Sequence, residues 1–195
     1  MKKFTKVILF GILFSIFGYG GFWYSTQASA ETYVWSGHWD YTYKMEIRFM
    51  NNVTGNTKLR SLVNNGVYDN WNNKTSSINF VSTNSATGRF ILVDNVDFSS
   101  VTWSGKAEGS STNWDGSYHY NGVKIKLNEH YLDGYTDWKT LGVVAHEFGH
   151  AVGLRHRELN GRGYLMYPND SRTVNAANSD ELGVLKNHYN WHGCQ

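Results

Sequence analysis

The stretch His-Glu-Phe-Gly-His-Ala-Val-Gly-Leu-Arg-His occupies residues 146–156 and is the most informative part of the sequence. Its first two histidines, His146 and His150, are four residues apart, so on a helix they project from one face and can share a metal ion. Glu147 follows the first histidine and points toward the side where a water molecule on that ion would lie. The pattern predicts a helix that carries a metal site.

The second half of this stretch supplies a turn and a third ligand. Gly153 can adopt a positive φ, which would end the helix and return the chain so that His156 approaches the first two histidines. Three neutral imidazoles suit Zn²⁺ and leave a fourth position open for water, which is typical of catalytic zinc sites. With Glu147 as the general base, the chemistry indicated is hydrolysis of a carbonyl compound.

A second element follows ten residues after His156. Met166 lies within Tyr-Leu-Met-Tyr-Pro, residues 164–168, and a methionine in a tight turn would give the three imidazoles a soft apolar floor. Pro168 is the only proline of the chain and would stiffen the exit from that turn.

These residues resemble the metzincin metallopeptidases and, among them, the matrixins in a bacterial secreted form. The resemblance is tight over residues 141–168 and covers the zinc helix and the Met-turn. It implies a secreted zinc endopeptidase whose metal ligands are His146, His150 and His156, with Glu147 as the catalytic base, Met166 in the Met-turn, and Tyr167 and Pro168 walling the pocket for the substrate side chain after the scissile bond. An extended peptide would bind antiparallel to an edge strand, for which 101–106 is the candidate.

The resemblance is incomplete at three places, one of which is the loop to Met166, about two residues longer than the family pattern leads us to expect. Arg157 stands where matrixins usually carry serine, so another metzincin branch is an alternative. No His-x-Asp pattern supports a second, structural zinc between residues 94 and 122. Oxygen ligands for Ca²⁺ could come from a dispersed set of side chains, for which turn residues on a solvated surface are the alternative: Asp94, Asp97, Asn113, Asp115, Asp133 and Asp137.

Hydrophobic periodicity predicts an α+β domain, a mixed twisted sheet of about five strands packed on two long helices, with a C-terminal helix after the Met-turn. Strict alternation of apolar residues over 122–128 is the clearest strand signal. The other predicted strands are 43–50, 77–81, 89–93 and a short one at 101–103, and the predicted helices are 57–71, 138–152 and one that begins near residue 179.

Composition excludes several classes of protein. With 195 residues, 41% of them hydrophobic and 17% charged, the chain can form one packed domain and is not a disordered segment. A net charge of +2 gives no indication of nucleic-acid binding. Cys194 is the single cysteine, so neither a disulfide framework nor a cysteine-based latency switch is expected. His119 and His130 are interpreted as ordinary polar residues. His188 and His192 are interpreted as part of an exposed tail, with binding of a stray metal near Cys194 as the alternative.

The N-terminus has the pattern of an export signal. Three lysines precede an apolar run, and Ala28-Ser29-Ala30 is a small-x-small cleavage site. Residues 1–30 are therefore predicted to be a signal peptide and residues 31–195 the catalytic domain, with an uncleaved membrane anchor as the alternative. Removal of the signal takes away three lysines and no acidic residue, so the mature chain is slightly acidic.

The function predicted is that of an extracellular, monomeric zinc endopeptidase that acts on protein or peptide substrates without nucleic acid or stable membrane association. The alternative from another class is an exported zinc-containing binding module without peptidase activity, because the chain is rich in tryptophan and tyrosine.

Overall fold

The computed structural model describes residues 34–35, 37–40, 45–113, 118–158 and 161–191. Five strands and four helices make up the described fold. The strands are Met45–Asn51 (β1), Ile78–Ser82 (β2), Ile91–Val96 (β3), Gly105–Asn113 (β4) and Tyr118–Asn128 (β5). The helices are Thr57–Val67 (α1), Glu129–Leu132 (α2), Asp137–Ala151 (α3) and Ser179–Trp191 (α4), and a π-helical turn, Tyr68–Asn72, continues α1. The predicted α+β class is confirmed.

The strands form one mixed sheet in the order β2-β1-β3-β5-β4. The first four strands of this order run parallel, and β4 pairs antiparallel with β5 at the edge of the sheet. The alternation in β5 places Val123, Ile125 and Leu127 in the core, as the sequence predicts.

Helix α3 lies against the sheet and carries the metal-binding pattern. The Thr136 side chain caps its first turn by accepting a hydrogen bond from the Lys139 N–H at 3.3 Å. Phe148 packs edge-on against Phe49 of β1 and Phe80 of β2, with ring centroids 5.6 and 5.0 Å away. These contacts fix the rotation of α3, and with it the direction in which its histidines project.

Two tryptophans hold α3 by its carbonyl groups. The Trp71 indole N–H donates to the Ala145 carbonyl at 3.0 Å, and the Trp39 indole N–H donates to the Ala151 carbonyl at 2.8 Å. Both indoles are buried. Part of the high aromatic content therefore serves the core rather than a ligand-binding surface.

The helix ends as the sequence predicts. Gly153 has φ +103°, and a Cβ there would lie 3.3 Å from the Gly37 carbonyl oxygen. The left-handed conformation and this close neighbour both favour glycine. The turn then brings Leu154 back, with its N–H donating to the Gly149 carbonyl at 2.9 Å.

Three predicted element boundaries are wrong. Residues 101–103 are not a strand, and the strand begins instead at Gly105. Its sequence, Gly-Lys-Ala-Glu-Gly-Ser-Ser-Thr-Asn, has no apolar alternation, because an edge strand gains its order from the β5 ladder rather than from two buried faces. The same pairing extends β5 back to Tyr118. The regular α-helix of α1 ends at Val67, and the next residues form the π-helical turn.

The predicted signal peptide, residues 1–30, lies outside the described residues. Among the residues that are described, no helix combines the length and apolarity needed to cross a bilayer.

We expect Phe148→Ala to lower the free energy of unfolding by about 3–5 kcal/mol, because it leaves a cavity between α3 and two strands. Urea denaturation measures this loss. Phe98→Ala is the matched control, since Phe98 is 46% exposed and should cost less than about 1 kcal/mol. Equal losses in the two variants would contradict the packing described here.

Candidate metal centre

Three histidine rings converge where α3 ends. The His156 Nε2 lies 3.2 Å from the Nε2 of His146 and 3.1 Å from the Nε2 of His150. Within the described part of the chain, this is the one group of three ligand-type side chains whose ligand atoms all lie within 4.8 Å of one another. The predicted trio is thus brought together.

The hydrogen bonds of His146 and His150 indicate which nitrogen of each ring carries the proton. His146 Nδ1 is 2.7 Å from the Leu165 carbonyl, and His150 Nδ1 is 2.8 Å from the Leu154 carbonyl. A carbonyl can only accept, so each Nδ1 carries the proton and each Nε2 presents a lone pair. Lone pairs 3.1–3.2 Å from the His156 Nε2 repel unless a proton or a cation lies between them, and three such nitrogens fit Zn²⁺.

The surroundings also keep these imidazoles neutral. Burial holds the pKa of His146 well below its usual range, and the neighbouring His150 and Arg172 lower it further. Burial, with a smaller contribution from His156, lowers the pKa of His150 to about 4. Neutral imidazole is the form that binds a metal ion.

Glu147 is buried beside the histidines. It accepts a hydrogen bond from the Ala107 N–H of β4, and its Oε2 is buried without a hydrogen-bond partner in the described structure. Burial raises the pKa of Glu147 to about 8. A carboxyl whose two protonation states are this close in energy near neutral pH is suited to accept a proton and return it.

The position of the Glu147 carboxyl depends on the close approach of β4 to α3. A Cβ on Gly105 would lie 2.8 Å from Cγ and Oε1 of Glu147 and 2.9 Å from Cγ1 of Val143. Only glycine lets the strand come this near to the helix without moving the carboxylate.

Met166 packs under the metal-binding helix. Its side chain is fully buried, and a Cβ on Gly149 would lie 2.5 Å from its sulfur. Met166 therefore packs against α3 at Gly149, and this close contact requires glycine at that position.

A buried carboxylate from α4 holds the Met-turn backbone. Glu181 is fully buried and accepts from the Met166 N–H at 2.8 Å, from the Leu165 N–H at 3.2 Å and from the Asn178 N–H at 3.0 Å. Burial raises the pKa of Glu181, and this effect is partly offset by the three backbone N–H groups and by the positive charge of Arg157, the residue that departs from the matrixin pattern. The Arg157 guanidinium also packs 4.7 Å from the ring centroid of Tyr164.

Arg172 and Asp170 form a polar network that lines another side of the site. Arg172 is buried, lies 3.2 Å from His146 Nδ1, donates to the Tyr167 carbonyl at 3.1 Å and forms an ion pair with Asp170 at 3.1 Å. The other Asp170 oxygen accepts from the Ser104 hydroxyl at 2.6 Å and from the Tyr135 hydroxyl at 2.9 Å. Asp170 thus joins the Met-turn loop to the segment that leads into β4.

An open cleft of about 390 Å³ runs past the histidines. One wall is formed by residues 102–107, which include the start of edge strand β4, and the other contains Pro168 and residues 169, 170 and 172. The predicted edge-strand segment 101–106 overlaps this wall. The predicted substrate contact of Tyr167 stays a prediction, since the contacts shown for it are backbone hydrogen bonds to Arg172 and to the Tyr164 carbonyl.

The carboxylates suggested for calcium do not form a cluster within the described residues. Asp94 forms an ion pair with Lys124 at 2.7 Å, and Asp137 forms one with Lys58 at 2.6 Å. Asp115 lies outside the described residues.

Sequence reasoning missed Glu181, Asp170 and Arg172. No spacing rule connects them to the histidine pattern, because they reach the site through tertiary contacts and come from the chain beyond the Met-turn. The Asp and Glu pair at the start of α4 indicates only a helix N-terminus.

The five-stranded sheet, the helix that crosses it and the convergent histidines beside a buried glutamate define a metzincin-like zinc metallopeptidase. A family profile described as "Dual-action HEIGH metallo-peptidase" (Peptidase_M57) matches residues 25–164. The chain belongs to this family. The letters of the family name correspond to His-Glu-Phe-Gly-His at 146–150, with Phe148 in the position of isoleucine. The match supports the broader class and not the matrixin branch specifically.

Among solved structures, the chain is similar to the crystal structure of metalloproteinase-II from Bacteroides fragilis, with 14% identity and a TM-score of 0.43. The similarity covers 80% of this chain and 56% of that one, so the chain spans little more than half the length of that protein. A search of curated proteins found no match.

We expect Gly105→Ala to lower kcat by about 10- to 100-fold, because the added methyl group displaces Glu147 while the histidines stay in place. Zinc content measured by mass spectrometry should be unchanged. Gly109→Ala in the same strand is the matched control, since its nearest contact, Val123 Cγ2, lies at an ordinary 3.5 Å. Equal activity of the two variants would show that Gly105 does not position Glu147.

Glu181→Gln tests the anchoring of the Met-turn. An amide can accept at one terminal atom only, so its NH₂ group would face at least one backbone N–H, at a cost of about 1–3 kcal/mol. We expect a lower melting temperature and faster zinc loss to a chelator than in wild type. Asp180→Asn, which alters only the exposed hydrogen bond from the Tyr164 hydroxyl, should leave zinc loss unchanged.

Proposed function

We propose that the protein is a secreted zinc-dependent endopeptidase, exported by residues 1–30 and active as the 31–195 domain. The observation that carries the proposal is the convergence of the Nε2 atoms of three histidines next to the buried Glu147 carboxyl. A structural zinc site would have no need of a carboxyl beside it that is available for proton transfer.

The proposed ligands are His146, His150 and His156. Zinc held by them would supply a Lewis acid and lower the pKa of a bound water. Glu147 takes a proton from the attacking water and later gives it to the leaving amine. Met166 supports α3 from below and so keeps the ligands in register.

The substrate is proposed to be an extended peptide that pairs with edge strand β4. This strand is nine residues long, and its first residues form one wall of the cleft. Such pairing would align the chain along the cleft with bonds on both sides of the metal, as cleavage within a protein requires. Pro168 and Tyr167 are the proposed wall residues for the side chain after the scissile bond.

The alternative is a zinc-containing binding module without peptidase activity. It is favoured by the exposed rings of Trp35 and Trp138, which are about half accessible. Peptide cleavage by zinc-loaded protein distinguishes the two functions.

We expect Glu147→Gln to lower peptide cleavage by at least about 100-fold while zinc stays bound, because the amide cannot accept the proton. Cleavage is measured on a peptide library by mass spectrometry, and zinc by elemental analysis. Glu46→Gln, on the exposed side of β1, is the matched control and should cleave at the wild-type rate. If zinc-loaded wild-type protein cleaves no member of the library, the endopeptidase proposal is wrong.

A further inference from the structure

A second cluster of histidines lies outside the catalytic trio. We propose that His38, His119 and His188 form a second transition-metal site, of the zinc class, that joins the N-terminal segment to the body of the domain. The proposal is independent of the endopeptidase function, since no catalytic residue belongs to the cluster.

The three side chains are buried, and they come from remote parts of the chain. Their exposed fractions are 0% for His38, 5% for His119 and 7% for His188. His38 lies before the first strand, His119 at the start of β5, and His188 near the end of α4. The interpretation of His188 as part of an exposed tail is therefore wrong.

The ring spacing suits a shared ion. Two imidazoles on one tetrahedral zinc have ring centroids about 5 Å apart, given a Zn–N distance of about 2 Å. The His38 centroid is 4.6 Å from that of His119 and 6.0 Å from that of His188. The catalytic histidines, in the same structure, have centroids 4.7–5.2 Å apart.

The backbone fixes these positions without help from an ion. The Tyr120 N–H donates to the His38 carbonyl at 2.7 Å, and residues 38 and 119 form a parallel β-bridge. His188 Nε2 lies 3.3 Å from the Gly37 carbonyl, beside the residue that precedes His38. The main chain therefore places the His38 ring beside that of His119, with His188 on its other neighbour Gly37, and binding of a shared ion would require side-chain rotation.

That rotation concerns mainly His188. The ligand nitrogens of this cluster do not meet the 4.8 Å separation that the catalytic trio meets. Exchange of the 3.3 Å contact with the Gly37 carbonyl for a metal bond would turn the His188 ring toward His38. At 3.3 Å this contact is longer than an ordinary N–H···O hydrogen bond.

The chemistry favours zinc and similar ions. Three imidazoles offer nitrogen ligands only, which suit Zn²⁺, Co²⁺ and Ni²⁺ rather than Ca²⁺ or Mg²⁺.

The test uses the full chain with the catalytic site disabled by His150→Ala and His156→Ala. After zinc loading and dialysis, elemental analysis should find one equivalent in this background, against two in wild type. Cobalt substitution of the same protein should give the visible absorption of a tetrahedral nitrogen-ligated ion. Adding His119→Gln should abolish both signals, whereas the matched control His130→Gln, an exposed histidine paired with Asp97, should retain them.

A second measurement, which does not need the His119 variant, covers the case in which that variant fails to fold. In the catalytic-site background, added zinc should raise the melting temperature if the second cluster binds it. Absence of a zinc or cobalt equivalent there, together with an unchanged melting temperature, would overturn the proposal. Retention of the ion after His119→Gln, with native circular dichroism, would also overturn it.

Discussion

One peptide group connects the metal centre to the rest of the protein. The Leu165 carbonyl accepts the Nδ1 proton of His146, and the N–H on the other side of the same peptide plane, that of Met166, donates to Glu181. A carboxylate that accepts from an amide N–H makes the amide oxygen a stronger acceptor. Glu181 therefore strengthens the bond that fixes the His146 ring, although the two side chains do not touch.

This arrangement makes the site depend on α4 as much as on α3. The first turn of α4 places Glu181 where it accepts hydrogen bonds from the Met-turn backbone. The rigid Leu165–Met166 peptide plane transmits that contact to the His146 ring. A catalytic domain that ended before α4 would keep all three histidines and the Leu165 carbonyl but lose the carboxylate that holds this peptide group in place.

Charge balance explains the other side of the site. Arg172 places a positive charge 3.2 Å from His146, which alone would oppose binding of a cation. Asp170 offsets that charge and takes two further hydrogen bonds, one from Ser104 just before β4 and one from Tyr135 just before α3. The same carboxylate thus neutralises the arginine and fixes the segment that leads into β4 relative to the three histidines.

The sequence predicted the parts of the fold and the site that depend on local periodicity. The four-residue spacing of His146 and His150 and the glycine at 153 specify a helix and its end, and both are present. β4 could not be predicted in the same way, because its order comes from antiparallel pairing with β5. Arg172, Glu181 and His38 reach their partners through tertiary contacts, and no short-range pattern records such contacts.

The position of His156, the third proposed ligand, also depends on the N-terminal segment, residues 34–35 and 37–40. The Trp35 N–H donates to the Gly153 carbonyl at 2.7 Å, and residues 34 and 154 form an antiparallel bridge. These bonds brace the turn that sends the chain from α3 to His156. Because the chain has a single cysteine, no intrachain disulfide can hold this segment, and its attachment depends on the backbone bridges, on Trp39 and on the histidine cluster. A metal ion at that cluster would therefore brace the turn that presents the third catalytic ligand, and would couple the stability of the two metal sites.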